Sequence, residues 1–298
     1  MKILVTGGTG MLGRALTEYL PDAIFVSSRD ADLRNISETE YLINKIAPQT
    51  VIHLAAEIGG VKANMEKNLE FFESNLLMNT NVISSSVKHG VKRFIGVLSS
   101  CAYFIPDDRP GTESDLHVGL PYFGNLGYAY SKRALDIHAQ IAADKTKMPY
   151  MTVTPVTMFG PHDNFNSETG HVVAALIVKA VNAVEKNGTM SVWGSGKAIR
   201  QFVYVNDIAK ILAQLIEINL TGNLIIAPDM GIEIKALAER IANAADFKGR
   251  IEFDSAKPEG VSRKVIQSKK FKEIFEDFLF TDIDKALQET VEWYRKNK

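Results

Sequence analysis

The sequence predicts an α/β fold in which a doubly wound, mostly parallel sheet is joined to a smaller mixed α/β part at the C-terminal end. Three observations predict this fold class. Short apolar segments alternate with segments of helical periodicity through the first half of the chain. The short segments are apolar throughout, which is typical of strands buried on both faces. The first of them leads directly into a glycine-rich turn, as in the opening unit of such a sheet.

The first half of the chain carries five predicted strands separated by four predicted helices. This order is that of parallel strands joined by crossover helices. The predicted strands lie at 2–6, 23–28, 50–54, 93–99 and 150–156, and the helices at 11–20, 37–46, 70–88 and 128–144.

The alternation loosens after about residue 160. We expect a dinucleotide-binding domain made of residues 1–158 and about 198–226, and a smaller substrate domain made of about 159–197 and 227–298. The later predicted elements are helices at 171–185, 207–218 and 234–245, strands at 190–193, 200–205 and 224–227, and a charged amphipathic tail at 271–298.

The composition is that of a globular protein. Of 298 residues, 46% are hydrophobic and 23% are charged, which excludes a disordered or fibrous chain. The net charge of -1 gives no indication of a nucleic-acid partner. The single cysteine, Cys101, excludes an internal disulfide, and the apolar stretch at 171–184 is shorter than a bilayer span. We therefore expect a cytoplasmic protein with no membrane segment, and no residue spacing is typical of a metal site.

The glycine-rich turn predicts a site for a dinucleotide. Its glycines are spaced G-x-x-G-x-x-G between the first strand and the first helix. In this arrangement the first glycine permits a tight turn, the second lets the backbone approach a pyrophosphate, and the third lets the helix pack on the strand. The residues predicted to bind the cofactor here are Gly7, Gly8, Thr9, Gly10, Met11, Leu12 and Gly13.

The end of the second strand bears on the choice of cofactor. A cation there favours the 2′-phosphate of NADP, whereas a carboxylate favours the free 2′-hydroxyl of NAD. Arg29 therefore favours NADP(H), but Asp30 follows immediately and suits NAD if the register shifts by one residue. Both cofactors remain open on this pattern, with NADP(H) favoured.

Three later side chains match the chemistry of carbonyl reduction. Ser99 ends the fourth strand, and Tyr128 and Lys132 lie at i, i+4 spacing on one face of the next helix. Tyr-x-x-x-Lys occurs three times in the chain, but only this pair follows a strand-end serine and precedes the fifth strand. Reduction of a ketone needs a proton donor at the developing alkoxide, and a phenol can serve if a nearby ammonium lowers its pKa. We predict that Tyr128 is this donor, assisted by Lys132, and that Ser99 polarises the carbonyl.

Together these motifs resemble the extended short-chain dehydrogenase/reductases that act on nucleotide sugars. Within that family, the GGVKAN and SSC elements are similar to a branch of 3,5-epimerase/4-reductases that use GDP-4-keto-6-deoxy-D-mannose. The stretches that carry the resemblance span nearly the whole chain: HLAAEIGGVKANM (53–65), SSCAYF (99–104), YAYSK (128–132), FGPHDNF (159–165), GHVVAALI (170–177), VWGSGKAIRQFVYVND (192–207) and KPEGVSRK (257–264).

The resemblance implies a Rossmann domain and a two-stage reaction. A C4 ketone acidifies the hydrogens on C3 and C5, so one base and one acid can invert both carbons before NADPH reduces the ketone to give GDP-L-fucose. By similarity Cys101 is the base and His171 is the acid. Without the family match, Cys101 would be interpreted as a small buried hydrophobe and His171 as a helix cap or packing residue.

The resemblance also implies the residues that bind the two ligands. Further cofactor-binding positions are Ala55, Val97, Leu98, Ser99, Ser100, Lys132, Pro155, Val156, Thr157, Met158 and His171, and substrate-binding positions are Lys179, Trp193, Arg200 and Glu259. Lys179 stands where the family usually has arginine, Glu259 where it has aspartate, and Thr9 and Ser27 where well-known members have arginines. Taken alone, Trp193 could instead be a core residue and Arg200 part of a surface ion pair.

Several functions remain open from the sequence. A close alternative is the enzyme that performs the same steps on a 3-deoxy sugar to form GDP-L-colitose, and a plain nucleotide-sugar 4-epimerase is a more distant one. A non-catalytic NADP-binding sensor is a third possibility, but it has no need for Ser99, Tyr128 and Lys132 together. We expect a homodimer paired through the helices at 70–88 and 128–144.

Overall fold

The computed structural model of the chain describes residues 1–106, 108–166, 169–257 and 260–298, without the side chains at positions 61 and 62. In the first half, strands and helices alternate as predicted. In chain order these elements are β1 (Ile3–Thr6), α1 (Met11–Leu16), β2 (Ile24–Val26), α2 (Ile36–Ile46), β3 (Thr50–His53), α3 (Val61–Glu66), α4 (Asn68–Lys88), β4 (Arg93–Val97), α5 (Leu126–Thr146) and β5 (Tyr150–Pro155).

The second half contains shorter strands and five more helices in the part of the chain that the structure describes. In order they are β6 (Thr157–Phe159), α6 (Val172–Glu185), β7 (Met190–Trp193), β8 (Ile199–Arg200), β9 (Phe202–Tyr204), α7 (Val205–Leu215), β10 (Gly222–Ile226), β11 (Ile232–Glu233), α8 (Ile234–Ala244), β12 (Ile251–Asp254), β13 (Arg263–Lys264), α9 (Lys269–Ile274) and α10 (Ile283–Asn297).

The predicted fold class is confirmed by the central sheet. Its six strands are all parallel and lie in the order β10-β5-β4-β3-β1-β2. The strand order reverses at β1, so the crossovers on its two sides place helices on opposite faces of the sheet. The strands β1, β3 and β5 are buried along their whole length, as expected for strands covered on both faces of a parallel sheet.

Two helices of the first half differ clearly from the prediction. Helix α1 ends at Leu16 rather than at residue 20, because the next residues form turns and Pro21 disfavours helical geometry at the residue before it. Helix α3 was not predicted, since it has only six residues and follows two glycines. It lies between β3 and α4, in a segment that contributes to the candidate site described below.

The C-terminal half adds small sheets beside the main one. Strands β7 and β12 pair with each other, β8 pairs with β11 and β13, and β6 pairs with β9. Strand β10 joins the central sheet next to β5. Among the described residues, no helix has the length and apolar character needed to cross a bilayer.

Candidate active site

The glycine turn after β1 is closely packed against the backbone on both sides. Gly7 adopts a φ of +71°, and a Cβ on it would lie 2.7 Å from the amide nitrogen of Ala55, the segment that follows β3. A Cβ on Gly13 would lie 2.6 Å from the carbonyl oxygen of Gly7. The turn therefore tolerates only glycine at these two positions. It lies where the strand order reverses, which is the place where open parallel sheets bind dinucleotides.

The charged residues after β2 differ in their contacts. The Asp30 carboxylate accepts hydrogen bonds from the amide of Ser27 at 2.8 Å and from its hydroxyl at 3.0 Å. These two bonds, the backbone one first, lower the pKa of Asp30. The Arg29 side chain is exposed. Because Asp30 is already hydrogen-bonded within a local turn, the arrangement favours Arg29 as the group that would bind a 2′-phosphate.

A short 3₁₀ turn after β4 presents Ser99 and Cys101 at the carboxyl edge of the sheet. Ser99 precedes this turn, and its hydroxyl oxygen accepts a hydrogen bond from the Cys101 amide at 3.2 Å. Arg133 on α5 holds the far end of the turn, because its Nε donates to the carbonyl of Ala102 at 2.7 Å. Both candidate side chains are half-buried. They are thus fixed in position and still accessible to a ligand.

The Cys101 sulfur has a cationic partner that the sequence did not predict. Lys264 donates from Nζ to Cys101 Sγ at 3.0 Å. Burial by itself raises the pKa of the thiol, but the charge and hydrogen bond of Lys264, together with Ser99 and His171, lower it by more. The net pKa of Cys101 therefore lies below the usual thiol value. A thiol in these surroundings has the properties of a reactive cysteine and not of an inert core residue.

Tyr128 and Lys132 are placed together on α5, both buried. Lys132 donates from Nζ to the carbonyl of Val97 at 2.8 Å and lies 5.6 Å from the centroid of the Tyr128 ring. Burial raises the pKa of Tyr128, and the charge on Cys101 raises it further. Burial also lowers the pKa of Lys132 to about 7.

The expected lowering of the Tyr128 pKa by Lys132 is thus not seen. The same desolvation acts on both groups, because it penalises the ammonium as well as the phenolate. The phenol of Tyr128 consequently stays protonated at neutral pH. That is the form a proton donor requires.

His171 lies immediately before α6 with its side chain available for other contacts. His171 stands at the N-cap position of α6 with an extended backbone, but its side chain makes no capping hydrogen bond. The imidazole Nδ1 lies 3.9 Å from Oδ1 of Asp163. Asp163 raises the pKa of His171 through this contact, against the opposing effect of burial. The arrangement favours an imidazolium, which can act as an acid.

The loop that bears His171 is held by the segment before α3. The Gly60 amide donates to the carbonyl of Thr169 at 2.9 Å, and a Cβ on Gly60 would lie 2.9 Å from the carbonyl oxygen of Gly170. Asn64 in turn donates to the carbonyl of Gly60 at 3.0 Å. The GGVKAN element therefore fixes the backbone at Thr169 and Gly170, directly before His171.

Replacement of Asp163 by asparagine should lower the pKa of His171. A raised pKa means that the stabilisation from Asp163 is fully present below the ordinary value of 6.5 and is lost as the pH rises through the raised value. The stability difference between the wild type and Asp163→Asn should accordingly be largest in acid and shrink with rising pH. NMR titration of His171 and denaturant midpoints across this range measure both effects. Asp144→Asn, at an exposed ion pair on α5, is the control, and an unchanged His171 titration in Asp163→Asn would contradict the prediction.

The predicted substrate residues lie in the C-terminal half. The ring of Trp193, at the end of β7, has Lys179 Nζ at 5.2 Å and Lys257 Nζ at 5.8 Å from its centroid. The indole is 36% exposed, so it is not a core residue. Arg200 donates to the carbonyls of Ile199 at 2.8 Å and Val261 at 2.5 Å. Glu259 lies outside the described residues.

Residues from the two halves of the candidate site line one narrow gap. Its lining includes Ser100, Val156 and Thr157 from the carboxyl edge of the central sheet, and Arg200 and Lys264 from the C-terminal half. The other predicted cofactor positions lie at or after the ends of strands at this edge: Ala55 follows β3, Val97 ends β4 and Leu98 follows it, Pro155 ends β5, and Met158 lies in the short strand β6. The structure therefore brings together residues that the sequence separates by more than half its length.

Three residues of the site were missed by the sequence analysis. Lys264 and Asp163 each contact a predicted catalytic side chain, and Arg133 fixes the turn that bears two of them. The first two lie within stretches already noted for the family resemblance, which was the available signal. Among the described residues, no group of three or more His, Cys, Asp or Glu side chains is placed to hold a metal ion.

Comparisons with known proteins agree with this geometry. Residues 3–224 match the model of the NAD dependent epimerase/dehydratase family. A probable GDP-L-fucose synthase of Drosophila melanogaster is 34% identical, over 99% of this chain and 98% of its own. A crystal structure of a GDP-L-fucose synthetase from Naegleria fowleri bound to NADP superposes with a TM-score of 0.92 at 34% identity, over 99% of this chain and 93% of that one. A GDP-L-colitose synthase of Yersinia pseudotuberculosis is 26% identical, over 100% of this chain and 99% of its own.

Proposed function

The chain belongs to the NAD dependent epimerase/dehydratase family, and from that membership and the site we propose that it converts GDP-4-keto-6-deoxy-D-mannose to GDP-L-fucose with NADPH. The observation that carries the proposal is the pairing of Cys101 with Lys264 and of His171 with Asp163. A simple ketone reductase needs only the hydroxyl, phenol and lysine. The additional base and acid are what an epimerisation before the reduction requires.

The residues at the sheet edge fit NADP. The backbone cradle at Gly7 and Gly13 excludes any Cβ, which suits the close approach of a pyrophosphate, and Arg29 is suited to the 2′-phosphate. When bound, NADPH supplies the hydride that reduces C4. We assign Lys132, whose ammonium is buried beside the Val97 carbonyl, to the nicotinamide ribose.

In the epimerisation, Cys101 and His171 exchange protons with the sugar. The Cys101 thiolate takes the proton from C3 or C5, and the electron pair of that C–H bond moves toward the C4 oxygen to form an enolate. Ser99 and Tyr128 stabilise the negative oxygen with their hydroxyl groups. The His171 imidazolium then gives a proton to the opposite face of the same carbon, which inverts it. A neutral thiol and a neutral imidazole remain, and exchange with solvent restores the starting state before the second carbon reacts.

In the reduction, Tyr128 gives its phenolic proton to the C4 oxygen as the alkoxide forms. Its raised pKa keeps this proton in place until the oxygen becomes basic. Ser99, next to Cys101 in the same turn, donates a hydrogen bond to the same oxygen. One carbonyl position therefore serves both stages.

The GDP half of the substrate extends toward the C-terminal part of the chain. We assign the guanine base to the Trp193 face, with the Lys179 ammonium and the Arg200 guanidinium serving the diphosphate. This assignment accompanies a division into a dinucleotide-binding domain (1–158 and about 198–226) and a substrate domain (about 159–197 and 227–298). It is supported by the proximity of Ser100 and Arg200, which line the same narrow gap.

The test mixes the purified protein with NADPH and GDP-4-keto-6-deoxymannose. Consumption of NADPH with formation of a fucose-configured product supports the proposal, and the absence of turnover contradicts it. The 3-deoxy ketone is tested in parallel, because a GDP-L-colitose synthase is also a relative. Turnover of the 3-deoxy ketone alone would assign the chain to that alternative.

We propose that the protein acts in the cytoplasm as a homodimer paired through α4 and α5. These helices pack against each other and expose apolar side chains: Leu69 is 64%, Leu77 49%, Ile137 43% and Ile141 60% exposed. An apolar face of this kind on two long helices favours burial against a second copy.

A double variant, Leu77→Glu with Ile141→Glu, should therefore be monomeric. Two carboxylates placed in an apolar interface lose the burial energy of the original side chains, about 1.5–3 kcal/mol for each of them, and add a desolvation cost. Light scattering after gel filtration measures the mass. Leu279→Glu, at a leucine that is 88% exposed and lies outside both helices, is the control. A double variant with the same mass as the wild type would contradict the pairing.

A further inference from the structure

Lys264 reaches the Cys101 sulfur from a distant part of the chain. The two residues are 163 positions apart, and Nζ lies 3.0 Å from Sγ. Lys264 belongs to β13, whose register places it beside Arg200 on β8. The contact therefore exists only because the C-terminal sheet is docked against the turn that follows β4.

The backbone around Lys264 is held at a fixed position. Gln201 accepts a hydrogen bond from the Ile266 amide at 2.8 Å and donates one to the Ile266 carbonyl at 3.0 Å. On the other side, the Gly111 amide donates to the carbonyl of Val265 at 2.9 Å. An ammonium carried on a strand fixed in this way is a preorganised charge, and it does not have to be ordered when substrate binds.

The groups that influence the sulfur come from four elements. Lys264 lies on β13, Ser99 on the turn after β4, His171 before α6, and Tyr128 on α5. Burial raises the pKa of Cys101, and Lys264 is the largest of the influences that lower it, through both its charge and its hydrogen bond. Ser99 and His171 act in the same direction with smaller effects, and Tyr128 remains a neutral phenol. The ionisation of the sulfur therefore depends chiefly on Lys264.

We propose that Lys264 is a positioning residue that holds the Cys101 sulfur as a thiolate and directs it toward the sugar carbon that loses its proton. The proposal rests on the proposed function, because it concerns the state of the base in that reaction. Lys264 gives up no proton in the step. The carbon proton passes to sulfur, the electron pair passes to the ketone oxygen, and the ammonium keeps its charge throughout.

The test uses alkylation of the full-length protein by iodoacetamide over a range of pH. Cys101 is the single cysteine of the chain, so the reaction reports this sulfur alone, and only the thiolate reacts. In Lys264→Met the midpoint of the alkylation profile should move to higher pH, and the rate at neutral pH should fall by about tenfold. Lys264→Arg keeps the charge and should retain most of the wild-type rate.

The matched control is Arg263→Met. It removes a cation from the neighbouring position of the same strand, where successive side chains point to opposite sides, and it should leave the alkylation profile unchanged. A wild-type profile in Lys264→Met, or an ordinary thiol midpoint in the wild-type protein, overturns the proposal. The wild-type measurement decides even if Lys264→Met fails to fold.

Uptake of solvent deuterium by the substrate separates this proposal from the proposed function. Lys264→Met should lose exchange at neutral pH and recover part of it at higher pH, where the thiol ionises without help. A shifted alkylation profile with fully normal exchange at neutral pH overturns the catalytic part of the proposal and removes Cys101 as the base. An unshifted profile with normal exchange overturns the part assigned to Lys264 alone.

Discussion

Replacement of Cys101 by serine should remove nearly all uptake of solvent deuterium at C3 and C5 of the sugar, while NADPH still binds. A serine hydroxyl remains protonated near neutral pH even beside an ammonium, so it cannot take a proton from carbon. The loss of one general base should lower the exchange rate by about 10²- to 10⁴-fold. NADPH affinity should stay near the wild-type value, because the cradle at Gly7 and Gly13 does not include this side chain. Deuterium content of the recovered nucleotide sugar and titration of NADPH fluorescence measure the two effects.

The wild-type protein provides its own control for this prediction. Alkylation of wild-type protein at its single cysteine should remove exchange to the same extent as Cys101→Ser, and the same reagent should have no further effect on the variant. Exchange at the wild-type rate in Cys101→Ser would show that another group is the base. The contact with Lys264 would then stabilise structure and take no part in the reaction.

The sequence predicted the features that depend on residues close together along the chain. Buried parallel strands have a recognisable apolar pattern, and a glycine turn between a strand and a helix is a local signal, so both the sheet and the Gly7–Gly13 loop could be predicted. The end of α1 was less predictable because its apolar pattern continues past Leu16, where turns and Pro21 interrupt the helix. Periodicity describes which residues face the core, and it does not fix where the hydrogen bonding stops.

The charges that surround the candidate catalytic groups could not be predicted in the same way. Lys264 contacts Cys101 because β13 pairs with β8 and because Gln201 hydrogen-bonds to the backbone that follows Lys264. Neither contact can be predicted from the local sequence at 257–264. Asp163 meets His171 because Gly60 and its neighbours hold the intervening loop. In both cases the sequence indicated the candidate base or acid, whereas its ionisation depends on a partner that folding brings to it.

The same limit explains the different pKa of Tyr128. Sequence spacing shows that Lys132 shares a helix face with the tyrosine, and this proximity alone favours a lower pKa for the phenol. It does not show that both groups are buried, and burial raises the pKa of the tyrosine while it lowers that of the lysine to about 7. Tyr128 therefore stays protonated near neutral pH, which suits an enzyme that reduces ketones at that pH.

Replacement of Tyr128 by phenylalanine should retain substrate and cofactor binding and lose reduction. The variant keeps the buried ring beside Lys132 and removes only the hydroxyl group. NADPH consumption should fall by about 10²- to 10⁴-fold, as expected when the proton donor to the alkoxide is removed. Deuterium exchange should persist at a reduced rate, because Ser99 still donates a hydrogen bond to the enolate oxygen. Tyr41→Phe is the matched control, since Tyr41 belongs to another Tyr-x-x-x-Lys pair, on α2, with its exposed ring under Lys45, a contact that phenylalanine preserves.

The pH dependence of the reduction distinguishes Tyr128 from another donor. Because burial and the Cys101 charge raise the pKa of Tyr128, its proton stays in place from the neutral into the mildly alkaline range, and reduction should not decline there through loss of this proton. Exchange has the opposite dependence, since it requires ionised Cys101 and should decline in acid as the thiolate is protonated. The two activities of one site should therefore have separate pH profiles, and Tyr128→Phe should affect the reduction profile far more than the exchange profile. Full NADPH consumption in Tyr128→Phe would mean that a different group protonates the alkoxide.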